Sequence, residues 1–299
     1  MTRRHLVLLV IGVIAVSFSS VLVRIAHAPA VAIAFYRCAF SAAVLVPLAW
    51  ARHREDLRRL GRNEAGLLVA SGVVLAAHFA TWIPSISFTT VAASALLVQT
   101  SPVWVAVLGR FVGERASRMT VVGIGLALAG VAVIALAQPG GRSGPRPLLG
   151  DLLALAGAFF AAIYILLGRR LRAVLPLVPY TAVVYAVSAL ILGVVMVAGG
   201  TPFAGYEPKV WLVCAAITAG PQFLGHTVFN YLLAHVRATV ISVALLAEPI
   251  GATILALVLL REVPTWPTIA GGAVVLAGIY LAIASGPHGP AEVAGAPLE

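Results

Sequence analysis

Apolar runs of about twenty residues recur almost end to end along this 299-residue chain, separated only by short polar gaps. Such a pattern leaves few folds open. A helix needs roughly 20 apolar residues to cross a bilayer, and inside lipid only helices and closed barrels satisfy their own backbone groups. The runs fall near residues 5–23, 30–50, 65–84, 90–110, 119–137, 149–168, 177–198, 209–232, 238–260 and 265–285. Ten spans leave no length for a sizeable soluble domain, so the expected fold class is an all-α membrane protein. The composition says the same: 61% of residues are apolar or aromatic, only 10% are charged, and the mean hydropathy is +1.05. A soluble domain carries about 25% charged residues.

The formal charge of +10 would suggest nucleic acid in a soluble protein, but here the basic residues lie between apolar runs and report orientation. With the N-terminus in the cytoplasm, fourteen of the 20 Arg and Lys residues fall on the cytoplasmic side and five on the other, with Arg37 inside the second run. Both termini are therefore expected in the cytoplasm, with the chain integral to the inner membrane. The first run, led by Arg3 and Arg4, resembles a signal peptide, yet nine further spans favour an uncleaved first helix. Lys209 is the single lysine, so no P-loop lysine exists, and no GxxxxGK[ST], HExxH or GxSxG motif occurs. Cys38 and Cys214 both sit in apolar runs and cannot build a disulfide framework or a zinc site. An enzyme, a metal site, a cofactor and a nucleic-acid partner are not expected.

Sliding the sequence against itself reveals a repeat. At an offset of 148 residues, His78 falls on His226, Ser94 on Ser242, Glu114 on Glu262, Gly123 on Gly271 and Gly130 on Gly278, while Pro102 matches Pro249 at 147. His and Glu are rare in this chain, and each match keeps its place relative to the runs. Two homologous halves of five spans follow: 1–147 and 148–285, joined through the Pro/Gly/Arg stretch 138–148, with a disordered cytoplasmic tail at 286–299. Because five is odd, the second half enters the membrane the other way up, an inverted repeat with a site near the midplane.

The segments Gln99-Thr-Ser-Pro-Val-Trp through Gly113-Glu114-Arg115, and Leu246-Ala-Glu248-Pro249 through Leu260-Arg261-Glu262, each lead into a Gly-rich span. Together with Phe35-Tyr36-Arg37 in the second run, they make the chain resemble the drug/metabolite transporter superfamily, specifically its ten-span EamA-type members. The likeness covers essentially the whole chain and is weak on substrate. It implies an exporter of amino acids or other metabolites, with a central cavity lined by spans 1, 3, 4, 6, 8 and 9.

Polar residues within the runs are the candidate site. Arg37 carries a charge that costs about 2.5–3.5 kcal/mol at the centre of a span, so it should face protein or water. It either binds a substrate carboxylate or answers to protonation of a partner, or else fixes helix packing. Glu248, just before Pro249, either carries a proton in exchange for substrate or is a hydrogen-bonded structural acid; the equivalent copy has Ser101-Pro102. His78 and Trp82 share a helical face at i, i+4, and Gln222, His226 and Asn230 repeat that spacing on the matching helix. These stripes either line opposite walls of a cavity or act as hydrogen-bonding glue between helices. Gln99 and Tyr164 are thinner candidates for substrate contact, and Ser17, Ser20 and Arg24 share a face of the first run. Glu114 and Glu262, beside Arg115 and Arg261, read as helix-end or gate salt bridges. The small residues Gly123, Ala127, Gly130, Gly271, Gly278 and Ala282 allow close helix approach, either within one chain or between two copies.

The expected function is secondary transport of a small polar or amphipathic metabolite by alternating access, with protons as a further partner and the lipid bilayer as solvent. The state is a monomer or a homodimer. Export of lipophilic drugs is the alternative; an intramembrane enzyme, a lipid scramblase and a channel rank below it.

Overall fold

The computed structural model describes residues 2–89, 91–114, 116–137, 145–255, 257–258, 263 and 265–284, with the side chains of 20, 24, 91, 92 and 135 left aside. Glu262, Arg115, Arg261, most of the stretch 138–148 and the tail 286–299 lie outside the described residues. What is described is helical, without a strand. Among the described residues, nine helical stretches are long and apolar enough to cross a membrane, and a tenth, shorter one covers Arg118–Ile134. The chain is an all-α membrane protein of ten spans in two inverted five-helix repeats.

In chain order the elements are α1 (Arg3–Ala26), α2 (Ala30–Arg58), α3 (Arg62–Phe88), α4 (Val91–Val98), α5 (Ser101–Leu108), α6 (Arg118–Leu136), α7 (Pro147–Leu171), α8 (Leu177–Ala198), α9 (Pro208–Ile217), α10 (Val228–Leu232), α11 (Ala238–Ala244), α12 (Glu248–Leu255) and α13 (Trp266–Ala284). Seven of the ten spans are single helices: α1, α2, α3, α6, α7, α8 and α13. The fourth, eighth and ninth are broken. The fourth turns at Gln99–Thr100 between α4 and α5, and the ninth tightens to a 3-10 turn at Leu245–Ala247 between α11 and α12. In the eighth, a π-helical segment, Thr218–Thr227, joins α9 to α10. The first two breaks sit at equivalent places in the repeat, just ahead of Pro102 and Pro249, whose rings remove a backbone donor.

α2 differs from the expected span. It continues to Arg58, bending at His53 (φ −134°, ψ 17°). A 29-residue helix is about 43 Å long, more than the roughly 30 Å hydrocarbon core. The Arg, Glu and Leu residues beyond Ala51 are good helix formers and extend it outside the apolar layer.

Helix packing displays the twofold relation directly. α2 packs on α8 and α6 on α13, each pair mapping onto itself when the halves are exchanged. α7 packs on α3 as α1 packs on the π segment, and α7 packs on α4 and α5 as α1 packs on α12. The α6–α13 crossing shows why glycine stands where it does. A Cβ at Gly123 would lie 2.7 Å from the Gly278 carbonyl oxygen, and one at Gly271 would lie 2.9 Å from the Gly130 carbonyl oxygen. Gly123 and Gly271 are repeat equivalents, as are Gly130 and Gly278, so the two contacts exchange under the same twofold. The small-residue stripes are therefore used inside one chain. Gly278→Ala places its Cβ 2.4 Å from the Ala127 backbone nitrogen. Overpacking of this kind costs about 1–3 kcal/mol. The expected result is an unfolding temperature lower by about 5 °C, while Gly125→Ala, which meets nothing within 4 Å, does not lower it.

Candidate functional site

A cavity lies where the two halves meet. Its walls come from α1, α3, the α4–α5 turn, α7, the π segment with α10, and the α11–α12 break, which are the first, third, fourth, sixth, eighth and ninth spans. Its volume is about 80 Å³, room for about five waters at roughly 15 Å³ each or for the small solute that displaces them. Twelve of the seventeen lining residues form six repeat-related pairs. These are Val16 with Ala161 and Ser19 with Tyr164, 145 apart; His78 with His226 and Trp82 with Asn230, 148 apart; and Val98 with Leu245 and Ser101 with Glu248, 147 apart. The cavity straddles the pseudo-twofold axis, with symmetric walls whose chemistry has diverged in three of the six pairs: Ser19/Tyr164, Trp82/Asn230 and Ser101/Glu248.

Several polar groups on these walls are held in place. His78 Nδ1 lies 2.9 Å from the Gly157 carbonyl. A carbonyl only accepts, so Nδ1 carries the proton and Nε2 of the neutral ring is left as an acceptor. The His78 ring stacks on Trp82 with centroids 5.6 Å apart and planes 13° from parallel. Glycine at 157 permits this, since a Cβ there would sit 2.9 Å from Trp82 Cβ. On the other wall, Asn230 donates from Nδ2 to the Tyr164 hydroxyl at 2.7 Å, and its amide group also lies within reach of Tyr185, at 3.4 Å. Glu248 accepts a hydrogen bond from Gln99 Nε2 at 3.2 Å, which ties the two broken spans together across the axis. Ser17 holds the same place from α1, donating to the Glu248 carbonyl at 3.2 Å. Ser20 and Arg24 fall outside the described side chains.

Two of the candidate residues stand elsewhere. Gln222 does not line the cavity: it is fully buried and accepts from Arg37 Nε at 2.8 Å. Pro221 lies within the π segment, where Thr227 donates its hydroxyl to the Gln222 carbonyl at 3.0 Å. The wider turn rotates Gln222 relative to His226, so the i, i+4 stripe divides, with His226 and Asn230 on the cavity and Gln222 toward α2. Arg37 is also fully buried behind the wall, its guanidinium 4.2 Å over the Phe79 ring. Ser19 and Ser101 line the cavity and were not among the candidates. Ser101 was marked by its match to Glu248; Ser19 matches Tyr164 only at an offset of 145.

At the face where α1 begins, polar and aromatic contacts draw together five of the cavity-lining spans. Glu114, past the end of the fourth span, accepts from the Ala238 backbone N–H at 3.1 Å and lies 3.5 Å from Arg169 Nε. It thus caps the start of α11 and pairs with α7. Arg169 donates to the Leu233 carbonyl at 2.6 Å, and Arg172 donates to the carbonyls of Asn230, at 3.0 Å, and Leu175. Across the α10–α11 turn, His235 stacks on His5 of α1 with centroids 5.0 Å apart, and Arg4 lies over the Tyr231 ring. Burial, then His5, Arg172, Arg169 and Arg4, hold His235 below its ordinary 6.5. The folded chain therefore binds that proton less tightly than the unfolded one, and stability is lost as pH falls below about 6.5. In a thermal-unfolding series from pH 7.5 to 5, His235→Phe, which keeps the stack, is expected to flatten the acid decline of the wild type.

Among the described residues, no group of three or more His, Cys, Asp or Glu side chains could hold a metal ion. The arrangement is a small cavity between two halves, with a few convergent polar groups on apolar walls.

The comparisons with known proteins agree with this geometry. The model of the EamA-like transporter family matches residues 3–136 and again 148–284, once for each half. Two proteins of Archaeoglobus fulgidus described as uncharacterized transporters are similar in sequence. One is 26% identical over 256 residues, 84% of this chain and 87% of the relative. The other is 28% identical over 195 residues, 64% and 67% respectively. A solved crystal structure superposes with a TM-score of 0.80 at 19% identity, covering 94% of this chain and 97% of the other, a likeness of fold. Matched in both halves by one family model, the chain belongs to the EamA-like transporter family.

Proposed function

We propose that the protein is a secondary transporter exporting small polar or amphipathic metabolites, amino acids among them, across the inner membrane by alternating access, with both termini cytoplasmic. The observation that carries this reading is the paired cavity on the pseudo-twofold axis. Inverted-repeat transporters bind substrate at such an interface and expose it by rocking one half against the other. The lining suits the solute class: Trp82 and His78 offer a flat stacking surface, and Asn230, Tyr164, Gln99 and Glu248 offer hydrogen bonds among apolar neighbours. The polar and aromatic contacts around Glu114, Arg169 and His235 support a gate, since they join the ends of five cavity-lining spans at one face. Glu248 is the coupling acid: its carboxylate takes a proton as the Gln99 contact is given up, and the proton and the solute cross in opposite directions.

The test is uptake of pooled radiolabelled amino acids into proteoliposomes holding the purified protein, with and without an imposed pH gradient. Saturable uptake that responds to the gradient is the expected result. Saturable uptake indifferent to it removes the coupling role of Glu248 and leaves a uniporter. No uptake above protein-free vesicles removes amino acids and moves the reading to lipophilic compounds.

A further inference from the structure

The cation buried in α2 has more hydrogen-bond donors than the protein around it uses. A guanidinium offers five N–H groups. Arg37 Nε donates to Gln222 Oε1 at 2.8 Å, while Nη1 and Nη2 meet no acceptor among the described residues. Gln222, its carbonyl oxygen taken by Arg37, leaves Nε2 without an acceptor as well. Both side chains are fully buried. Six donor hydrogens, four on the two Nη atoms and two on Nε2, are thus gathered on one bonded pair of side chains with a net positive charge.

None of the neighbouring acceptors among the described residues reaches these donors. The Ser41 hydroxyl donates to the Arg37 carbonyl. The Thr227 hydroxyl is shared between the Gln222 carbonyl and Tyr185. Glu248 is bonded to Gln99. A donor-only cluster carrying a full charge in apolar surroundings is complete only with an acceptor that brings negative charge.

We propose that Arg37 and Gln222 form a site for a small monovalent anion, a free halide or the carboxylate head of a small acid. Charge sets the valence: one negative charge cancels the guanidinium, whereas a dianion would leave an uncompensated charge in the membrane interior. Enclosure sets the size, since the Phe79 ring covers the guanidinium at 4.2 Å and both donors are withdrawn from solvent. The site adjoins the cavity wall: Phe79 also meets His226 edge-on, with centroids 5.6 Å apart, and His226 lines the cavity. It is independent of which solute the cavity carries.

The test is thermal unfolding of the purified full chain in chloride, in acetate and in sulfate at matched ionic strength. The wild type is expected to unfold about 5 °C higher in chloride than in sulfate. A matching rise in acetate identifies carboxylates as occupants too; a rise in chloride alone identifies the halide. Gln222→Glu supplies the missing negative charge from the chain itself, and is expected to unfold at one temperature in all three salts. Equal unfolding temperatures for the wild type in the three salts would overturn the proposal, as would a Gln222→Glu variant that keeps the full wild-type shift, since the anion would then act elsewhere. Where that variant does not fold, Arg37→Met, which keeps the contact with Phe79 without the charge, is expected to lose the shift. Bromide soaked into crystals of the wild type gives a readout free of any variant. Anomalous density is expected against the Arg37 Nη atoms, and bromide found only at other places overturns the site.

Discussion

Glu248→Gln is expected to abolish accumulation of solute driven by a pH gradient, by at least tenfold, while leaving exchange of internal for external solute intact. Glutamine keeps the length and planar shape of the side chain and can still bond Gln99, which lies 3.2 Å from the carboxylate. The Ser17 contact to the backbone carbonyl at 248 does not involve the side chain at all. The substitution therefore preserves packing of the ninth span against α1 and against the α4–α5 turn, and the unfolding temperature should change little, because a neutral hydrogen bond contributes only about 0.5–1.5 kcal/mol. What glutamine cannot do is take up and release a proton. Exchange needs only the loaded carrier to reorient and survives. Net movement against a gradient needs the proton to be carried and fails. The measurement is counterflow and gradient-driven uptake in the same proteoliposomes. A variant that accumulates solute like the wild type, with the same pH dependence, removes Glu248 from coupling and leaves it as the acid that joins two broken spans.

The coarse fold is legible in the sequence because the membrane makes it so. Each span must be apolar over its own length, and the Gly-rich faces of α6 and α13 fall at matching places in both copies. The inverted repeat is legible too, since His78 and His226, or Gly123 and Gly271, are too uncommon in combination to coincide by composition. Finer features are carried by contacts distant in sequence. Pro221 signals a disturbance in the eighth span, but the π turn, stabilised by Thr227, decides that Gln222 leaves the cavity stripe and meets Arg37 of α2. Ser19 escaped notice because connections of unequal length shift the repeat offset from 145 at the first and sixth spans to 148 at the third and eighth. A single sliding match therefore loses part of the register. The partner of Glu114 was hidden for a similar reason. Arg169 and the start of α11 lie far from it in sequence, and only the fold brings them to the carboxylate.

His78→Phe is expected to raise KM about tenfold with a much smaller effect on the maximal rate, and His226→Phe to do the same from the opposite wall. Phenylalanine keeps the flat ring on which Trp82 stacks at 5.6 Å and the tilted contact with Phe79 at 5.0 Å. It removes the Nε2 acceptor toward the cavity and the donor to the Gly157 carbonyl. Losing one solute hydrogen bond of about 1.4 kcal/mol is a factor of ten in affinity. At position 226 the edge-on contact with Phe79 survives in the same way. The one helix-to-helix bond these variants are known to lose is that of His78 Nδ1 to the Gly157 carbonyl, while the ring contacts survive, so the maximal rate is the less sensitive quantity. Where the two walls act independently, the double variant shows the product of the two effects, about a hundredfold. If both single variants keep the wild-type KM but unfold at a lower temperature, the paired histidines hold helices together and the solute binds to other groups on the walls.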